Sequence, residues 1–194
     1  MIIAVGLGNP GRRYKGTRHN VGQEVVPLLA ERYKIRLTDD GWAKVGRGRI
    51  EHATLVLAIP ETYMNVSGQA VKDLLRRRKP SDLLIVHDEM DLVLGQLRLR
   101  PGNGAGGHNG VRSIIAEIGT GMFPRLRIGI GRPPAGVDPV EFVLGRFTAD
   151  ERPGIDEAVA RAAGAVVVVA TEGLPAAMNR YNRRATPGSL VETP

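Results

Sequence analysis

The chain of 194 residues contains no cysteine, which excludes a disulfide framework and a thiolate metal site and suits a reducing compartment. No apolar run approaches the roughly 18 residues that a membrane crossing needs. The start, MIIAVGLGNPG, has neither the charged first segment nor the small-residue cleavage site of a secretory signal. Linkers and internal repeats are missing as well. Together with a hydrophobic content of 42%, these absences predict one globular domain with a sizeable core, no membrane association and a cytoplasmic location. Lysine is scarce: positions 15, 34, 44, 72 and 79 account for all of it, and the other basic residues are arginine. The formal charge is nevertheless +7, which makes a polyanionic partner plausible.

Near the start, Gly6, Gly8 and Gly11 fall at G-x-G-x-x-G spacing after an apolar run. A dinucleotide-binding loop needs a helix that begins inside the glycines and an acidic residue about 20 positions on. Here RRYKGTRHN is polar, with no apolar stripe, and the apolar spacing of Val21, Val25, Leu28, Leu29 and Tyr33 predicts a helix only from 21 to 33, with Pro27 kinking it. Glu31 lies inside that helix, so the pattern matches while its context fails.

Further along, 43 to 50 and 53 to 60 read as a strand pair, and Val66, Ala70, Val71, Leu74 and Leu75 as one helical face that Pro80 ends. LLIVHDE is a buried strand, GQLRLR and RLRIGIG are alternating strands, and a glycine loop at 102 to 110 leads into a helix near 110 to 118. The region after Thr148 reads as helix, although AVVVVATEG is strongly β-branched. Interleaved strands and helices predict an α/β fold: a three-layer α/β/α sandwich around a mixed, mostly parallel sheet, with chemistry in loops at strand ends. The domain covers 1 to 184, and 185 to 194 form a flexible tail.

Four histidines occur, at 19, 52, 87 and 108. His52 reads as a solvated turn residue and His87 as a core histidine satisfied by backbone. Asp88, at a strand end, is a carboxylate able to hold the His19 imidazole in one tautomer and stabilise its cation. With no cysteine and no G-x-S-x-G elbow, His19 would activate water rather than a side-chain nucleophile; from spacing alone, a helix-preceding histidine and a turn-capping aspartate fit better. His87, Asp88, Glu89 and Asp91 cluster, but neighbours along a strand point to opposite faces and cannot share one ion, so no metal is assigned. GNGAGGHNG suggests an anion loop, yet His108-Asn109 stand where Walker A requires Lys-Ser/Thr; a lid or tight turn is the alternative. Arg98, Arg100, Arg125 and Arg127 could share a face as a basic strip or be a solvated sheet edge.

Taken jointly, VGLGNPGRRYKGTRHNVG, PETYMNVSG, HDEMDLVLGQLRLR, GNGAGGHNGVRSI and RLRIGIGRP resemble the bacterial peptidyl-tRNA hydrolase family, in the family's order, over about residues 1 to 147. The resemblance implies a cofactor-free hydrolysis of the ester joining a peptide to the 3′ ribose of tRNA, which recycles tRNA from stalled translation. It makes His19 the base, Asp88 its orienting carboxylate, and Asn9, Asn65 and Asn109 the amides that donate to the oxyanion or hold peptide and water. Tyr14 and Met64 would line the peptide cleft, His108 its lid edge, and Arg100 and Arg127 would grip tRNA phosphates, in a monomer. Val93 stands where the family usually has proline, and Glu61 where a neutral or basic residue is commoner. Both departures imply altered stability or rate. A non-hydrolytic RNA-binding protein on the same scaffold and a dinucleotide oxidoreductase are the competing classes.

Overall fold

The computed structural model describes residues 1 to 76 and 82 to 183; Pro80 and the tail expected at 185 to 194 lie outside them. Seven strands form one sheet in the order β2-β3-β4-β1-β5-β7-β6. These are β1 (Ile2–Gly6), β2 (Thr38–Asp40), β3 (Ala43–Ile50), β4 (Ala53–Pro60), β5 (Leu83–Glu89), β6 (Leu97–Arg100) and β7 (Arg125–Gly129). The central β4, β1, β5 and β7 run parallel, while β3 and β6 are antiparallel to their neighbours. The continuous apolar runs of the central strands are what a sheet buried on both faces requires.

Strand alternation divides the core. Ala4, Leu57, Leu84, Val86 and Ile128 face α1 (Val21–Arg32) and α5 (Arg152–Thr171), with α6 (Leu174–Tyr181) packed on α5. Ile3, Val5, Ala58, Leu83 and Ile85 face α2 (Ser67–Leu74) and α3 (Asn109–Ile118). The expected three layers are therefore present. The β-branched run AVVVVAT is helical, because Ala165, Val166, Val168 and Val169 bury a face against the sheet and tertiary burial outweighs propensity. Two short elements had no sequence signal long enough to read: β2 and α4 (Pro139–Leu144).

The polar segment after β1 forms 3₁₀ turns at Arg12–Tyr14 and Arg18–Asn20, and α1 begins at Val21 rather than among the glycines. The helix then lies directly on backbone: a Cβ on Gly22 would come within 2.2 Å of the Val86 carbonyl oxygen. That contact places the turn before α1 beside the C-terminal end of β5. The parallel neighbours β1 and β4 are followed by helices on opposite faces of the sheet, α1 on one and α2 on the other, which opens a crevice at the C-terminal ends of the central strands.

Candidate active site

A cleft of about 350 Å³ occupies that crevice and collects Asn9, His19, Met64, Asn65, Asp88, His108 and Asn109, seven residues that the sequence singled out. Its remaining wall includes Glu89, Met90, Gly106, Gly107 and the Pro139, Val140, Val143 and Leu144 side of α4.

His19 Nδ1 lies 2.9 Å from Asp88 Oδ1, both side chains being buried. Since a carboxylate only accepts, Nδ1 carries the proton and Nε2 is left with its lone pair for the cleft. The same Oδ1 accepts from His108 Nε2 at 2.9 Å. Burial alone would raise the Asp88 carboxyl, but the His108 and then the His19 ring outweigh it and hold Asp88 well below the usual carboxylate range. His108 thus belongs to the ionic centre rather than merely to a lid edge.

Asn9 is fixed from two sides. Its Oδ1 accepts the Met64 N–H at 2.8 Å, so its Nδ2 is the end without a partner among the described residues. Its main chain is held by Asn20, whose Oδ1 accepts the Asn9 N–H at 2.8 Å and whose Nδ2 donates to the Asn9 carbonyl at 2.9 Å. Asn20 occupies the N-cap position of α1 but makes no cap bond there. Its side chain serves Asn9 instead, and the Leu7 carbonyl accepts the Gln23 N–H at 3.0 Å. The signal available in RHNVG was an asparagine directly before the helix, and sequence reasoning passed over it.

Asn65 and Asn109 are both exposed at the cleft, Asn109 with its Oδ1 accepting from Arg112 at 2.9 Å. Met64 is buried beneath them. Tyr14 is not brought to the cleft: its ring meets Tyr63 edge-on at 6.4 Å. Arg18, which the sequence did not single out, is buried next to His19. It donates to the Arg146 carbonyl and to Glu151, each at 2.7 Å, and lies over Phe142 and Phe147 at 4.4 and 5.2 Å. Arg18 therefore ties the wall that carries α4 to the turn that carries His19.

The four arginines do share one sheet face, since Arg98 pairs in register with Arg127 and Arg100 with Arg125. They do not form one basic strip. Arg125 is buried and donates to the carbonyls of Gly104 (2.6 Å), Asn103 and Gly121, holding the glycine loop down. Arg127 pairs with Glu89 at 3.0 Å, and Arg100 is exposed without a partner among the described residues. His87 is only half satisfied by backbone: Nδ1 donates to the Asp88 carbonyl at 2.6 Å, while buried Nε2 has no partner among the described residues. His52 is exposed as expected, but it also reaches the Thr171 carbonyl at 2.9 Å.

Among the described residues, only His19, Asp88 and His108 bring three possible ligand atoms together, within 4.8 Å of one another. Both contacts to Asp88 are ring N–H hydrogen bonds, so an ion would have to displace two protons, and we assign no metal. The arrangement can activate a water at His19 Nε2 beside an amide donor, against an apolar wall. It offers no nucleotide loop, because no helix starts at the opening glycines.

A family model described as peptidyl-tRNA hydrolase matches residues 3–188. The chain is 48% identical over 186 residues to a peptidyl-tRNA hydrolase of Chloroflexus aurantiacus, covering 94% of this chain and 99% of the relative. It is 49% identical over 188 residues to one from Dehalococcoides mccartyi, covering 94% and 100%. The crystal structure of a peptidyl-tRNA hydrolase from Acinetobacter baumannii superposes with a TM-score of 0.88 at 41% identity, covering 94% of each chain.

Proposed function

Because the chain belongs to the peptidyl-tRNA hydrolase family and is an enzyme of that activity, we propose that His19 performs the hydrolysis by activating water, without a covalent intermediate. One observation carries this reading: Asp88 fixes the proton on His19 Nδ1 at 2.9 Å, which leaves Nε2 as the base facing the cleft.

Water loses a proton to His19 Nε2 as its oxygen bonds to the ester carbonyl carbon. The oxyanion that forms accepts from Asn9 Nδ2, whose direction the Met64 N–H has already set. Collapse breaks the bond to the ribose 3′ oxygen, which takes the proton back from His19. The products are a peptide with a free carboxylic acid, which releases its proton to solvent, and tRNA with a free 3′ hydroxyl. Asp88 stays ionised throughout and stabilises the transient imidazolium.

Asn65 and Asn109 present amides at the cleft rim, suited to a peptide backbone, while Met64, Met90 and the apolar side of α4 accommodate side chains of varied shape. Arg100 and Arg127 contact tRNA phosphates, an interaction that ignores sequence and weakens with salt. The enzyme works as a cytoplasmic monomer that returns tRNA from stalled translation.

The test is incubation with N-blocked aminoacyl-tRNA in EDTA, following free tRNA. His19→Ala should abolish release. Equal release by that variant would end the mechanism, and unblocked aminoacyl-tRNA should be a far poorer substrate.

A further inference from the structure

Asp88 Oδ1 is a shared acceptor. His19 Nδ1 and His108 Nε2 each lie 2.9 Å from it, on rings whose centroids are 4.9 Å apart. The two rings are not equivalent. His19 keeps its second nitrogen for the cleft, whereas His108 Nδ1 accepts the Val111 N–H at 3.2 Å and caps α3. A ring nitrogen that accepts a backbone N–H carries no proton, so these hydrogen bonds assign His108 as a neutral Nε2–H donor.

His87 adds a third imidazole, in edge contact with His108 at a centroid distance of 4.5 Å. Burial pushes His87 well below the usual histidine range. Of three imidazoles around one carboxylate, only His19 has a cleft-facing nitrogen free to take up a proton. Charged groups beside the pair include Glu89 of β5 and Arg127 of β7, which pair at 3.0 Å, and Arg18 next to His19, which pairs with Glu151 at 2.7 Å. From α4 only Pro139, Val140, Val143 and Leu144 enter the cleft.

We propose that His108 is a positioning residue whose Nε2–H limits the proton affinity of His19 by claiming part of the charge on Asp88 Oδ1. A carboxylate stabilises the cation of the imidazole bonded to it, and a second donor on the same oxygen weakens that pull. Losing that donor should tighten the hold of Asp88 on the His19 cation. The inference rests on the hydrolytic reading above only for its kinetic readout.

Two substitutions separate this role from helix capping. His108→Asn keeps an acceptor near the Nδ1 position for Val111 but is too short to reach Asp88. His108→Gln places an amide N–H near the Nε2 position but loses the cap. In His108→Asn, the NMR titration midpoint of the His19 ring and the acid limb of kcat/KM should both move up by about half a pH unit to one unit. His108→Gln should leave both near the wild-type position while lowering Tm. An unmoved His19 titration in His108→Asn, or equal displacement in both variants, overturns the proposal. The NMR measurement needs no turnover, so its failure is distinguishable from failure of His19 as the base, which the His19→Ala assay reports.

Discussion

Asn20 grips Asn9 at both of its main-chain polar atoms, accepting the N–H at 2.8 Å and donating to the carbonyl at 2.9 Å. Asn20→Asp keeps the first bond and turns the second into a contact between two oxygens. The variant should lose roughly 10- to 100-fold in kcat with little change in KM, because the misplaced Asn9 amide matters most in the transition state. Steady-state kinetics on N-blocked aminoacyl-tRNA read the split directly.

Asn9→Asp isolates the donor. A carboxylate oxygen can still accept the Met64 N–H, but nothing replaces Nδ2. The expected loss is on the order of 10²- to 10³-fold in kcat, the usual size of one oxyanion donor. Retention of more than half the wild-type rate would assign Asn9 to scaffolding alone.

Asp88→Asn is expected to lower kcat by roughly 10²- to 10⁴-fold, because a neutral amide neither fixes the His19 tautomer nor stabilises its cation. It also carries a signature in stability. The carboxyl is held well below its ordinary value, His108 and His19 outweighing burial. A depressed carboxyl contributes stability above its unfolded pKa of about 3.9 and loses that contribution as pH falls further. Urea unfolding should therefore show a gap between wild type and Asp88→Asn that is full at pH 7 and shrinks below about pH 4. A gap independent of pH would contradict the ionic assignment.

Arg100 and Arg127 should behave differently despite sharing a sheet face. Arg100 has no partner among the described residues, so Arg100→Ala should raise KM for tRNA substrates and reduce the slope of log KM against log salt by about 1. Arg127 is paired with Glu89 at 3.0 Å, and Glu89→Gln should free it and lower KM at low salt. A higher KM in Glu89→Gln would mean that the pair itself shapes the site.

Arg125→Met should destabilise the chain by about 3 kcal/mol, because three loop carbonyls lose a charged donor. Limited proteolysis within residues 102 to 107 measures the local effect and urea unfolding the global one. An uncut loop would show that its own turns suffice to hold it.

Much of this architecture is legible in the residues. The buried strands, the helix from Val21 and the failed dinucleotide context follow from periodicity and punctuation, whereas spacing alone disfavoured a His19–Asp88 pair and only the family resemblance implied it. What escaped depends on contacts remote in sequence. Arg125 looked like Arg127 because alternation assigns a face but not whether a loop will cover it. His108 looked like a loop residue because its partner lies 20 residues away. Asn20 went unread because the atoms it grips belong to the main chain of a turn 11 residues earlier. Helix α4 offers six residues and buries none of them, too little for any periodic signal.

The seating of Gly22 on the Val86 carbonyl has an evolutionary consequence. The spacing between the turn of His19 and the strand of Asp88 is set by two main chains in contact, with no side chain between them. A larger side chain at Val21, Val25 or Val26 would press first on other side chains, whereas any side chain at position 22 would meet main chain. Through that position the hydrolytic pair inherits a ruler made of atoms that mutation does not alter.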